Sequence, residues 1–167
     1  MADTQRAIDT CIRRLESATG PTRLLHGRGG CYEGYHDVNI DWYGSYVVVG
    51  AFGDGGFKAV TDELARHPSV DGVIVQARRG RATTAEVIAG HVPESIVVSE
   101  NGLDFKVQPH RNQNIGLFLD MAPIRAWVRE WVGYNPGARV LNLFAYTASF
   151  SVYAVAGGAE LVVNNDM

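Results

Sequence analysis

The chain has 167 residues, 46% of them apolar and 20% charged, which is enough to bury a core as one domain or two small ones. Its net charge of −3 and isoelectric point near 5.9 exclude a globally basic nucleic-acid-binding field and leave only local patches for such contacts. No signal-peptide pattern and no long apolar span are present, and Cys11 and Cys31 form no C-x-x-C pair; a soluble, cytoplasmic protein that avoids membranes is expected.

Residues 4–17 place Ile8, Cys11, Ile12 and Leu15 at helical spacing, with Arg13, Arg14 and Glu16 on the other side. This predicts a packing helix ended by Gly20 and Pro21, with the Cys11 thiol in its buried stripe. A glycine-punctuated loop follows, then alternation over residues 38–42 and an apolar strand over 45–52. His26, Cys31 and His36 match no standard zinc spacing, so no metal site is expected. Arg23, His26 and Arg28, among Tyr32, Tyr35, Trp42 and Tyr43, suit either a small RNA-contacting surface or a solvated hairpin with partly buried rings.

A helix over 57–66 stops at His67-Pro68, and 70–76 reads as a strand, so helix between two strands makes a small α+β module. Arg78, Arg79 and Arg81 form the strongest local positive charge in the chain. They suit backbone phosphates or a solvated turn. Residues 83–90 read as a weak helix or loop. Residues 94–98 and 103–107, joined by Asn101-Gly102, predict a hairpin whose turn takes positive φ angles. A helix over 123–131 follows, with Trp127, Val128 and Trp131 as its buried stripe; Asp120 and Arg125 either pair across its start or cap it.

The last part carries the sharpest signal. An apolar strand (140–144), a turn of small and hydroxylic residues (146–149), an apolar helix to Gly157-Gly158 and a second apolar run (161–163) lead to Asp166. Strand, turn, helix, strand and then an acid about 20 residues after the turn is the opening of a nucleotide-binding unit, the acid meeting a ribose. An ordinary βαβ unit without ligand has the same spacing. The G-x-G-x-x-G of a dinucleotide site is absent, and Ala148 and Ser149 stand where glycines admit a pyrophosphate. S-adenosylmethionine, which has none, fits better than NAD.

The segments NQNIGLFLDM (112–121), Arg125, VLNLFAYTASFSVYAVAGGA (140–159) and VVNNDM (162–167) resemble the class I S-adenosylmethionine-dependent methyltransferases of the large-subunit ribosomal RNA type. That family's pattern runs G-[FLY]-[FY]-L-D, then LN-x-F-x-YT-x-x-FS-x-x-A-x-x-GGA and V-x-x-D-[MLI]. Weaker likeness begins at RLLHGRGGCYEG. The resemblance implies S-adenosyl-L-methionine as cofactor, Phe118, Asp120 and Arg125 as walls or braces of its pocket, Phe144, Ala145, Tyr146, Thr147 and Ser149 as the turn lining it, and Asp166 as the ribose carboxylate. It implies ribosomal RNA as partner, for which the local positive charge of Arg23, Arg28, Arg78, Arg79 and Arg81 supplies the candidate contacting cations. Ala148, Ser149, Ile124 and Asn165 depart from the family's usual residues.

Family members continue well past this acid, through a loop that holds the target base. The expectation is therefore an α/β chain in which a small N-terminal α+β module (1–110) precedes an incomplete, truncated opening of a Rossmann-like domain (111–167). It would be an inactive N-terminal part of a methyltransferase with no catalytic residue of its own, or else a non-catalytic RNA- or protein-binding module. A parallel sheet of two strands leaves an open edge, so a homo-oligomer or a covering partner is expected.

Overall fold

The computed structural model describes residues 2–53, 56–79, 82–111 and 114–167, the side chains of Ala2, Arg79 and Ala82 excepted. Helix α1 (Ala2–Glu16) leads into strand β1 (Thr22–His26), followed by β2 (Val38–Tyr43), β3 (Tyr46–Ala51), helix α2 (Lys58–Leu64), β4 (Gly72–Arg79) and β5 (Ala82–Gly90). These strands form one sheet in the order β1-β2-β3-β4-β5. Only β3 and β4 run parallel, because α2 carries the chain back across the sheet between them.

Alternation along the strands sends their side chains to two different cores. Val47, Val49, Val73 and Val75 face α1 and α2, where Ala7, Cys11, Leu15, Val60 and Leu64 close the first core. Burial pushes the Cys11 thiol up to about 12, so it stays protonated and packs as a small apolar group. Val48 and Ile74, from the same strands, face the opposite way.

Strands β6 (Ile96–Glu100) and β7 (Leu103–Val107) form a hairpin with Glu100 opposite Leu103. Its turn residues Asn101 and Gly102 have φ of 53° and 77°, the left-handed pair that matches the twist of the strands. The hairpin lies in the second core, where Ile96, Val98, Phe105 and Val107 meet Tyr43, Val48 and Ile74 of the large sheet, Ile115, Leu117 and Leu119, and Tyr153. Helix α3 (Ala122–Tyr134), strand β8 (Arg139–Leu143), helix α4 (Ser149–Ala156) and strand β9 (Leu161–Asn165) complete the order, with β8 and β9 paired parallel.

Because residues from 43 to 153 share this second core, the α/β arrangement extends through the described chain. That corrects the expectation of an incomplete Rossmann-like opening set beside a separate small module. Two local expectations also change. Residues 82–90 form β5 instead of a weak helix or loop: β4 offers a full-length antiparallel partner, and tertiary pairing overrides weak local preference. On α3, Trp127 and Trp131 are exposed while Arg125 and Val132 are buried, so the buried stripe lies on another side of the helix.

Candidate cofactor turn and basic cleft

The turn after β8 is built without glycine, yet Phe144, Tyr146 and Ala148 have φ of 56°, 49° and 59°. Left-handed backbone costs a side-chain-bearing residue roughly 1–2 kcal/mol, so contacts must hold the turn. Thr147 Oγ1 donates to the Gly116 carbonyl at 2.6 Å, and the Tyr146 hydroxyl donates to the Asn114 carbonyl at 2.7 Å. The Phe118 and Tyr146 rings lie 5.6 Å apart. Gly116 is itself at φ 126°, and a Cβ there would sit 2.6 Å from the Lys106 carbonyl oxygen, so only glycine lets this wall approach β7.

Asp166 follows β9 directly. Its carboxylate accepts from the backbone N–H of Tyr146 and, at 2.8 Å, from that of Met167. The acid is exposed, which leaves lone pairs directed to solvent at the carboxyl ends of two parallel strands, where α/β sheets bind ligands. A ribose diol needs an acceptor of this kind, and the exposed Phe144 of the same turn offers an apolar face. The donor and acceptor set therefore fits a nucleoside. Ala145 and Ser149 are buried and shape the turn from below.

Beneath the turn, Asn142 of β8 lies opposite Asn164 of β9. The Asn142 amide donates to Ser151 Oγ at 2.9 Å and to Asn164 Oδ1 at 3.2 Å, and Ser151 donates to Asn164. This network ties both strands to α4. Sequence reasoning missed it, although polar Asn at the same depth in two apolar strands was the available signal.

Arg125 sits elsewhere. It is fully buried, and its Nε and Nη2 donate to the two carboxylate oxygens of Glu100 at 2.8 and 2.7 Å. Its Nη1 reaches the Phe118 carbonyl at 2.8 Å, so it braces the wall from behind. The Tyr153 hydroxyl also donates to Glu100 Oε1 at 2.8 Å. The expected pairing of Asp120 with Arg125 is not formed, because Glu100, 25 residues upstream, takes the guanidinium, and Asp120 points into a different cavity.

That cavity, of about 320 Å³, lies between β1–β4 and the segment 114–120. Arg23, Arg28 and Arg78 line it with His26, Phe52 and Asp120. Arg23 is paired with Asp41 at 2.8 Å, and the Arg28 and Arg78 guanidinium carbons lie 4.1 and 4.9 Å from the centroid of the Phe52 ring. Burial, then the charge of Arg28, lowers the Arg78 pKa. The side chain of Arg79 and all of Arg81 lie outside the described residues. Phe52 was not foreseen as a site residue; an aromatic at the end of an apolar strand carries no signal by itself. Among the described residues, no three His, Cys, Asp or Glu converge on a metal position.

The model of the S-adenosylmethionine-dependent methyltransferase family matches residues 22–167. A ribosomal RNA large subunit methyltransferase I from Aeromonas salmonicida is 38% identical over 96% of this chain and 44% of its own length. A Streptococcus mutans structure described as a SAM-dependent methyltransferase superposes with a TM-score of 0.81 at 26% identity, covering 99% of this chain and 44% of that one. A methyltransferase structure in complex with SAH gives 0.77 at 27% identity, again over 99% of this chain and 43% of that one. The chain spans less than half the length of the curated relatives it matches.

These matches correct the expectation of a truncated, inactive N-terminal part whose likeness sits mainly in residues 112–167. The likeness runs through nearly the whole chain, with β1–β7 included. Where enzyme character was expected to be uncertain, the methyltransferase family model matches residues 22–167.

Proposed function

The chain belongs to the S-adenosylmethionine-dependent methyltransferase family, and from that premise we propose that it transfers a methyl group from S-adenosyl-L-methionine to a nucleotide of ribosomal RNA. The observation that carries this reading is the Asp166 carboxylate held against the Tyr146 N–H at the carboxyl end of the β8–β9 pair. The cofactor supplies a methyl group on a sulfonium, whose departing thioether is neutral. What falls to this chain is placement. Asp166 takes the ribose, Phe144 to Thr147 and Ser149 form the turn, Phe118 walls it through Tyr146, and Arg125 braces Phe118 from behind. No side chain here is assigned a proton transfer.

The RNA side of the reading is supported by the printed names of the relatives, which are ribosomal RNA large subunit methyltransferases, and by Arg23, Arg28 and Arg78 around one cavity. In this division of labour residues 1–110 contact RNA and residues 111–167 hold the cofactor, in the cytoplasm. Among the described residues no helix is long and apolar enough to cross a membrane. The exposed apolar side chains of β8 and β9 are read as a contact surface for a second copy of the chain. Sedimentation equilibrium tests this part: a monomer at high concentration removes it.

Isothermal titration with S-adenosyl-L-methionine tests the cofactor site. Micromolar binding that Asp166→Ala weakens at least tenfold is expected, since the acid makes the ribose contact. Equal binding by wild type and variant would sink the assignment of Asp166.

A further inference from the structure

The floor of the 320 Å³ cavity is one register row of the large sheet. His26 of β1 lies opposite Asn39 of β2, Asn39 opposite Gly50 of β3, and Gly50 opposite Gln76 of β4. Residues that face one another across paired strands send their side chains to the same side, and all four line the cavity. Gly50 has no side chain to send. A Cβ built there would meet nothing closer than the Phe52 ring, at 3.4 Å, so the row has a gap of bare backbone between Asn39 and Gln76. Those two residues stand two strand spacings apart, about 9–10 Å, wide enough for a flat ring system with a polar contact at its edge.

Gln76 borders that gap and is 2% exposed. Its Nε2 donates to the Pro109 and Arg111 carbonyls, each at 2.8 Å. With both amide hydrogens taken, the side chain has only Oε1 left, an acceptor. No donor among the described residues reaches that oxygen. A buried acceptor without a donor costs free energy until a ligand supplies one. The same two bonds tie residues 109 and 111 to the sheet, and the Tyr43 hydroxyl donates to the Leu117 carbonyl at 3.0 Å. The chain that roofs the cavity is thus pinned at two points, and the slot beneath it is held open as built.

We propose that the gap over Gly50 receives one unstacked nucleobase of the RNA, an amino-bearing one whose amino N–H donates to Gln76 Oε1. The slot rests on the RNA reading above and adds a base preference to it. Adenine, cytosine and guanine carry such a donor. Uracil does not, and its carbonyl oxygens are repelled by a fixed acceptor. A cavity near the lower limit of small-ligand pockets has room for one base and none for a base pair, which suits unpaired RNA, whose splayed bases are read by hydrogen bonds to their edges. The roof is also the segment whose Asn114 and Gly116 carbonyls accept from Tyr146 and Thr147, so backbone separates the slot from the turn assigned to the methyl donor. The base read here is therefore a neighbour of the methylated one, and the slot sets sequence context.

The test is fluorescence anisotropy of end-labelled uridine hexamers that carry one variable base near the middle, beside cofactor titration of the same proteins. Three pairs of probes differ by a single amino group: adenine and purine, cytosine and pyrimidin-2-one, guanine and hypoxanthine. Wild type should bind an amino-bearing probe about tenfold more tightly than its amino-free partner, the effect of leaving a buried acceptor unmet. Gly50→Val puts a branched side chain in the gap. Gly50 has no left-handed φ and strands favour valine, so the variant's cofactor titration should match wild type while its amino preference disappears. Gly50→Ala, a smaller filler, should weaken the preference in the same direction.

Equal binding within all three pairs by wild type would overturn the assignment of Gln76 and leave RNA binding in place. A preference that survives Gly50→Val would put the base elsewhere and overturn the slot. Wild-type protein that binds cofactor and none of the hexamers at low salt would remove the RNA reading and the slot together.

Discussion

The five-stranded sheet and the β8–β9 pair use the same apolar strand residues and meet opposite fates. In the large sheet α1 and α2 cover one face, and the hairpin with residues 115–119 covers the other, so Val47, Val48, Val49, Val73 and Ile74 are all buried. In the parallel pair Leu141 and Leu143 are 62% and 54% exposed, and Leu161 and Val163 are exposed too. Parallel strands are ordinarily covered on both faces. The difference teaches that β8 and β9 are held by their polar network and by α4, whereas the large sheet is held by its two cores.

The largest expected effect lies where the second core reaches α3. Arg125→Met leaves Glu100, only 6% exposed, as an unpaired buried charge, and should cost about 3–5 kcal/mol in urea denaturation. The double variant Arg125→Met/Glu100→Leu should recover much of it, because the charge is then gone. Failure to recover would mean that the pair's packing, not its charge, holds α3.

Next comes Ile74→Ala, a large-to-small change at a position with no exposure, expected to cost about 2–5 kcal/mol by the same measurement. Leu141→Ala is its counterpart in the other sheet and should cost under about 0.5 kcal/mol at low protein concentration. A Leu141 loss as large as that of Ile74 would break the comparison outright.

Between these two in size is Ala148→Gly. Ala148 sits at φ 59° before α4, where glycine escapes the left-handed penalty, so the variant should gain up to about 1 kcal/mol, read as a raised Tm. A lowered Tm would mean that the Ala148 methyl packs usefully and the strain is slight.

Much of this was legible in the sequence, for reasons that differ from place to place. The Asn101-Gly102 turn, the α1 stripe around Cys11 and the strand-turn-helix-strand order ending at Asp166 are local signals, carried by spacing and turn chemistry. The partners of those elements are not local. Nothing near Arg125 names Glu100 as its partner, and Asp120, close in sequence, was the natural wrong choice. The strand over 82–90 was hidden because its residues have little preference alone and gain one only beside β4. Phe52 became visible as a site residue only when the chain brought two arginines onto its ring.

The contacts around Glu100 have a consequence for how the chain reaches this structure. One carboxylate joins the hairpin, α3 through Arg125 and α4 through Tyr153, elements separated by 25 and 53 residues. Each partial assembly would strand a charge away from water, so intermediates with two of the three in place are penalised. The three elements should accordingly close late and together as one cooperative unit, after the more local pairings of the large sheet. Amide hydrogen exchange would then show residues 96–107, α3 and α4 opening with a single free energy.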